Sequence, residues 1–564
     1  MLTAIVGRTS SKHLSGALCA LVAGFLLVSC APNLQPSLQA EVDEVEEATE
    51  SFANFMLDLG VALRNGSQVE FRSALAPSVV STGFPSGMKP IIEDRGWVLR
   101  RIDRRVMESQ LNWISRDAFV FSLIRFLDRW TDLEDVRLKV KKSSLVGNTI
   151  SAEVAISIVG RDEEGRRSWA RGRAEVHASR EGPDAVWSID HFDITSLDTL
   201  MAKRDVFSEV ALPAGMSRMD PPFLARRGPS FAAYGAAVGD VNNDGLVDLV
   251  VTSEAGNSLY LNRGDGTFDD VAAAARIREV HGDVVAPLLL DFDNDGDLDL
   301  FLSAIGNQML FQNRLLPDGH LEFWDISHES GVAVSAIGFS AVAGDIDGNG
   351  YPDIYVTSYN RYGQVLPDRW DGATNGTPNL LFLNRGDGYF EEVAEERGVA
   401  DDRWGYAAGF ADVDRDGDLD LYATNDFGGG NSLFINESGS FTDRAEEHGV
   451  YDGGYGMGVS FGDYDNDGDL DLHVTRMSST AGRRILARLG EAELPSRERL
   501  EELALGNSLY ENAGAGTFRD VSTGAGPFSA GWAWGGGFID IDNDGYEDLF
   551  TPNGFISGSK LHDT

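Results

Sequence analysis

The sequence predicts a mainly β chain, a β-propeller preceded by a small α+β domain, and three observations carry that prediction. An acidic ten-residue stretch, typified by DYDNDGDLDL at 463–472, recurs six times with fixed internal spacing. The units around it are about 50 residues long and read as four short strands each, the period of a propeller blade. Glycine is abundant (64) and proline scarce (18), which suits many tight turns. At 564 residues the chain is too long for one ordinary domain. Its 42% hydrophobic content, with 10% aromatics, can fill real cores.

Charge divides the chain. The net charge is −42, and residues 207 to the end hold 61 acidic against 22 basic side chains. Residues 31–206 are nearly balanced, with 28 acidic and 23 basic. Such an acidic surface excludes nucleic acid as a partner, because phosphate needs Lys and Arg. It suits bound metal or cationic partners.

The first 30 residues place Arg8 and Lys12 before the apolar run LSGALCALVAGFLLVSC, which is short for a membrane span and reads as a secretory signal. Leu27-Val28-Ser29-Cys30 resembles the bacterial lipobox, which implies a signal peptide over 1–29, lipidation of Cys30 and a tether over 30–40. The only cysteines are Cys19 and Cys30, so a lipidated mature chain is expected to have neither disulfide nor free thiol. Ala31 after the cysteine favours, by the same resemblance, an outer-membrane lipoprotein at the bacterial cell envelope, periplasmic or surface-exposed.

Residues 41–200 form the expected α+β domain. Apolar residues at 45, 48, 52, 55, 56 and 59 follow a helical period. A second helical stretch is expected around Trp113, Phe119, Phe121, Leu123 and Phe126, followed by strand patterns such as TISAEVAISIVG and AVWSIDHFDIT. This order, with FMLDLGVALRNGSQVEFRSALAPSVV, resembles the SnoaL-like (nuclear-transport-factor-like) cone fold. His191 and Asp193, two apart on the last strand, share a face and are read as a surface pair.

The six acidic stretches begin at Asp240, Asp291, Asp345, Asp412, Asp463 and Asp540. Positions 1, 3, 5 and 9 are always Asp or Asn, position 6 is always Gly, and positions 2 and 10 are apolar or aromatic. Alternate oxygen-bearing side chains can converge on one hard cation, the carbonyl of position 7 can add a ligand, and glycine supplies the sharp turn. Oxygen-only donors favour Ca²⁺. The candidate ligands are Asp240, Asn242, Asp244, Leu246 and Asp248 in loop 1, and Asp291, Asp293, Asp295, Asp297 and Asp299 in loop 2. Loop 3 offers Asp345, Asp347, Asn349, Tyr351 and Asp353, and loop 4 offers Asp412, Asp414, Asp416, Asp418 and Asp420. Loop 5 offers Asp463, Asp465, Asp467, Asp469 and Asp471, and loop 6 Asp540, Asp542, Asp544, Tyr546 and Asp548. An EF-hand needs Glu at position 12, where Val251, Leu302, Val356, Ala423, Val474 and Thr551 stand instead. Loops 2, 4 and 5 carry the most carboxylates.

A glycine-rich strand precedes each loop, and after it come a short strand, the pattern N-x-L-Y/F-x-N, a glycine turn and a Phe strand, as in GDGTFDDVA. These flanks resemble the FG-GAP/VCBS repeats, more narrowly the cartilage acidic protein (ASPIC/UnbV) group, with GWAWGGGFIDIDNDGYEDLFTPNG as the nearest stretch. The resemblance implies a propeller over 207–564, with six recognisable blades or an incomplete seven. FSEVALPAGM from Phe207 matches the last strand of a blade and is expected to help close the ring. The RGD triplets at 263–265 and 385–387 sit in glycine turns and are read as turn chemistry.

Two long insertions, around 361–378 and 476–506, leave blades 3 and 5 by the same connection and are expected to rise from one face, the usual place for function on a repeat ring. The first offers Tyr362, Trp370 and Asp371 as a ligand surface; the second is expected to carry a short helix at SRERLEELAL. No catalytic motif stands out. The expectation is a non-enzymatic, lipid-anchored propeller, holding up to six structural Ca²⁺, that binds a protein or polysaccharide partner. The alternatives are a calcium-dependent polysaccharide lyase-like enzyme and a docking subunit of an envelope complex.

Overall fold

A computed structural model describes residues 36–85, 88–94, 97–102, 112–182, 185–202, 209–216, 235–253, 256–280, 282–361, 364–477, 503, 505–525, 533–541 and 543–552. The expected signal peptide, Cys30, Tyr362, Asp542 and most of the second insertion, with its expected helix, lie outside these residues. No described helix is long and apolar enough to cross a membrane. The described residues fall into two compact units, one up to Ser208 and one from Glu209 to Ser479 and Ser496 to Phe555.

The first unit sets helix α1 (Pro36–Arg64), α2 (Gln68–Ser73) and α3 (Arg116–Leu127) against one sheet. Its strands are β1 (Leu75–Ser81), β2 (Lys89–Asp94), β3 (Trp97–Arg101), β4 (Asn112–Ser115), β5 (Asp132–Val146), β6 (Thr149–Arg161), β7 (Arg167–Ser179) and β8 (Ser188–Ala202). The order is β2-β3-β8-β7-β6-β5, with β1 beside β8 and β4 beside β1. Ala48, Phe52, Met56, Leu59 and Leu63 give α1 one buried stripe, and alternate residues of β6 from Ile150 to Ile158 face it. At Gly60 a Cβ would meet the Val136 carbonyl at 2.5 Å, so glycine lets α1 lie on β5. Register shifts in the β5–β6 and β7–β8 ladders bend the long strands. The second helix starts later than its apolar pattern suggested. The Ser115 hydroxyl accepts the Ala118 N–H at 3.2 Å and caps it, which leaves Trp113 in β4 and exposed. Phe121 is also exposed, while Phe119, Leu123 and Phe126 enter the core.

The second unit is a series of antiparallel four-stranded meanders, of which the second and third are joined into one sheet by pairing of Ile305–Asn307 with Ser335–Ile337. Blade 1 is β9 (Ala236–Gly239), β10 (Asp248–Val251), β11 (Ser258–Asn262) and β12 (Phe268–Asp270). Blade 2 is β13 (Asp283–Leu290), β14 (Asp299–Asn307), β15 (Met309–Asn313) and β16 (Phe323–Asp325). Blade 3 is β17 (Ser335–Gly344), β18 (Asp353–Ser358), β19 (Leu380–Asn384) and β20 (Phe390–Glu392). Blade 4 is β21 (Trp404–Ala411), β22 (Asp420–Asp426), β23 (Ser432–Glu437) and β24 (Ser440–Asp443). Blade 5 is β25 (Gly456–Gly462), β26 (Asp471–Arg476), β27 (Ser508–Asn512) and β28 (Phe518–Asp520). A further pair, β29 (Gly537–Ile539) and β30 (Asp548–Phe550), follows. Every acidic loop joins the first strand of a blade to the second.

The second strands of blades 2 to 4 are apolar on both faces because each of these blades packs between two neighbours. Leu300 and Leu302 meet Val250 and Leu259 of blade 1, while Phe301 meets Ile354, Val356 and Phe382 of blade 3. Tyr355 then faces Leu421 and Ala423 of blade 4, and Tyr422 faces Leu472 and Val474 of blade 5. Stability therefore resides between blades, since burying one large apolar side chain is worth about 1.5–3 kcal/mol.

Candidate metal centres

Each loop is wound by its own carboxylates. The position 1 Asp accepts the N–H of position 5 at 3.0–3.1 Å. Its other oxygen accepts the N–H of the position 6 glycine at 2.7–3.1 Å. The position 5 side chain accepts the N–H of position 7 at 2.8–3.1 Å. These bonds turn the side chains of positions 1, 3 and 5 inward.

The turn needs two left-handed residues. The position 6 glycines have φ between 87° and 99°. Position 4 is also left-handed in all six loops, at Asn243, Asn294, Gly348, Arg415, Asn466 and Asn543, with φ from 55° to 71°. Asn and Gly adopt this conformation most readily. That requirement was legible in the residue types at position 4 but not singled out by the ligand pattern. Asn243, Asn294 and Asn466 also donate to the position 6 carbonyl of the next loop, at Gly296 (3.0 Å), Gly350 (2.8 Å) and Gly545 (3.0 Å). Arg415 makes the equivalent bond to Gly468 and pairs with Asp469 at 2.8 Å.

Position 9 joins the loop to the sheet. Asp248, Asp299, Asp353, Asp420 and Asp471 are at most 1% exposed. Each accepts the N–H of position 2 in its own loop at 3.0–3.2 Å, as does Asp548. Each of the five also accepts the N–H of the last Asn in N-x-L-Y/F-x-N at 2.7–2.9 Å. That Asn reaches backward as well. Asn313, Asn384, Asn436 and Asn512 donate to the position 2 carbonyls of the preceding blade, Val241, Phe292, Ile346 and Val413, at 2.8–3.0 Å. All four are buried. The sequence pattern displayed these residues, but their partners lie 72 to 99 positions away.

The donor set fits a hard cation. Carboxylate oxygens of Asp291, Asp293 and Asp295 lie within 4.8 Å of one another. The same holds for Asp345, Asp347 and Asp353, for Asp412, Asp414 and Asp420, and for Asp463, Asp465 and Asp471. Loop 1 differs, since the Asn242 amide donates to Asp244 at 3.0 Å. In loop 3, Asn349 donates to the Asn384 carbonyl at 2.9 Å. Burial, followed by the charges of neighbouring carboxylates, pushes position 9 up: Asp299 to about 9, Asp353 to about 7, and Asp420 and Asp471 to about 6. Asp297 at position 7 of loop 2 is 1% exposed, and its Oδ1 has no partner among the described residues. Its Oδ2 accepts the Leu316 N–H at 2.6 Å. A divalent cation held by oxygen donors would answer the crowding of the converging carboxylates.

The opposite end of the blades is apolar. The first insertion, between β18 and β19, lays Trp370 edge-on to Phe427 at 5.2 Å, and the Trp370 carbonyl accepts the Tyr455 hydroxyl at 3.1 Å. Trp370 is thus half-buried in a cluster with Phe339, Tyr359, Trp404, Tyr406 and Met457, joined by Leu503 of the second insertion. Asp371 pairs with Arg369 at 3.2 Å. Within the cluster the Tyr359 hydroxyl donates to Asp426 at 2.6 Å. In the first unit His191 stacks on His177 at 4.4 Å on the sheet face away from the core, with Asp193 beside it opposite Glu175.

The FG-GAP-like repeat family matches residues 240–302, 291–356, 372–423 and 412–474. Cartilage acidic protein 1 of Mus musculus is 28% identical over 290 residues, covering 46% of this chain and 44% of the mouse protein. The Homo sapiens protein is 28% identical over 287 residues, covering 46% and 43%. The chain thus spans less than half the length of the curated relatives it matches. Among solved structures, an Agrocybe aegerita lectin, described as recognising non-reducing terminal N-acetylglucosamine, aligns at 14% identity and a TM-score of 0.30, over 65% of this chain and 78% of the lectin. The described chain is thus mainly β and propeller-like, carries FG-GAP-like repeats between residues 240 and 474, and is similar over about half its length to cartilage acidic protein 1.

Proposed function

We propose that this chain is a lipid-anchored, calcium-stabilised binding scaffold of the bacterial cell envelope, held through Cys30 and presenting its surface to a protein or polysaccharide partner. The observation that supports it is the convergence of three carboxylates in each of loops 2 to 5 around an oxygen-only site. Ca²⁺ would be structural: each ion offsets two of the negative charges that otherwise oppose the fold. The loops supply no nucleophile and general-base pair, which supports binding over catalysis.

The test uses residues 31–564, stripped with EGTA and titrated with CaCl₂ while bound calcium and melting temperature are measured. Binding of several ions per chain with a rise in melting temperature is the expected result. A melting temperature indifferent to calcium would overturn the structural role. Incubation with a panel of acidic and neutral glycans then separates retention without products, which supports binding, from new unsaturated ends, which would make the chain a lyase. Membrane fractionation of the full chain against Cys30→Ala tests the anchor, with release of the variant into the soluble fraction expected.

A further inference from the structure

We propose that the side chain at position 4 of each loop is a positioning residue that couples one calcium site to the next, so that the sites fill cooperatively in two strings. The proposal rests on the reading of the loops as calcium sites. In each of loops 2 to 5 three carboxylates bring oxygens within 4.8 Å of one another.

The geometry is directional. Position 4 is left-handed in every wound loop, and in that conformation the side chains of Asn243, Asn294 and Asn466 donate to the position 6 carbonyl of the following loop. That carbonyl belongs to the peptide joining positions 6 and 7, whose N–H is held by the position 5 side chain. A loop wound around its ion thus orients, in its neighbour, the peptide immediately before the position 7 carbonyl. The relay runs from loop 1 to 2 and 2 to 3 through Asn243 and Asn294. It runs from loop 4 to 5 and 5 to 6 through Arg415 and Asn466. Between loops 3 and 4 position 4 is Gly348, which has no side chain to donate. The staple from Asn436 to the Ile346 carbonyl still joins blades 3 and 4 there, so the two strings meet through a staple without a relay, whereas loops 1 and 2, 2 and 3, and 4 and 5 have both.

The test compares Ca²⁺ isotherms of residues 31–564 with those of Asn294→Gly and Gly348→Asn, by isothermal titration and by Tb³⁺ luminescence. Asn294→Gly keeps a residue suited to positive φ and removes only the donor. It is expected to lower the Hill slope and weaken the cooperative phase by about three- to tenfold, the scale of one hydrogen bond, at unchanged ion number. Gly348→Asn is expected to steepen the isotherm by joining the strings. A melting temperature of Asn294→Gly in EGTA equal to that of the unmutated chain shows that the fold is intact. Ion binding with slopes unaltered in both variants would overturn the coupling and leave the calcium sites standing. An unmutated chain that binds no Ca²⁺ would overturn both.

Discussion

The two ends of the blades are built on opposite principles. At the loop end the same few polar residues recur in the same bonds, from Asp240 to Asp548. At the insertion end the cluster reuses strand positions but not residue types: Val285, Phe339, Tyr406, Met457 and Trp534 each stand six residues before a loop. The difference teaches that repetition serves the bonds every blade must make, while the irregular end is free to diverge. One end is built on charge, the other on apolar packing.

Chelation is expected to break the comparison hardest. At tenfold excess over Kd each filled calcium loop adds about 1.4 kcal/mol, so removing several ions with EGTA outweighs any single side chain. Scanning calorimetry should show the drop. Near-ultraviolet dichroism from Trp404 and its neighbours should hold until that lowered transition, because their packing uses no carboxylate ligand. Next comes Phe427→Ala, which empties a buried site touching Trp370, Trp404 and Tyr455 and should cost about 3–5 kcal/mol. Its calcium number, measured by elemental analysis, should not change.

Asn436→Ala removes donors to the Ile346 and Leu419 carbonyls and should cost about 2–4 kcal/mol through unpaired buried groups. A broadened urea transition is its signature, since blades 3 and 4 lose a shared bond. The smallest effect concerns Asp426, whose carboxyl is pushed up by burial to about 6. The folded chain therefore binds this proton more tightly than the unfolded chain does. Stability present at pH 4 is lost as pH rises through about 6. In saturating Ca²⁺, Asp426→Asn should flatten that part of the melting-temperature profile.

The loop end was legible because its rule is local: ligand positions, turn glycine and flanking strands all fall within about fifteen residues. Even there the position 4 bond escaped, since Asn294 looks like a turn residue and its acceptor, Gly350, belongs to another repeat. The insertion end was legible in place but not in use. Trp370 reads as exposed when only its loop is considered, whereas Phe427 and Tyr455, from blade 4 and the stretch before β25, fold around it. The onset of the helix at Arg116 was likewise hidden behind apolar Trp113, because one serine cap outweighed the periodic pattern.

The backward-reaching asparagines bear on how such arrays change length over generations. Donor and acceptor occupy the same place in every unit, so recombination that duplicates or deletes a whole unit leaves each remaining Asn with a partner. A single-residue insertion within a loop has the contrary effect. Displacing Asp471 by one position would strip the Tyr464 and Asn512 N–H groups of their acceptor. These bonds thus leave unit number free while they fix the spacing inside a unit.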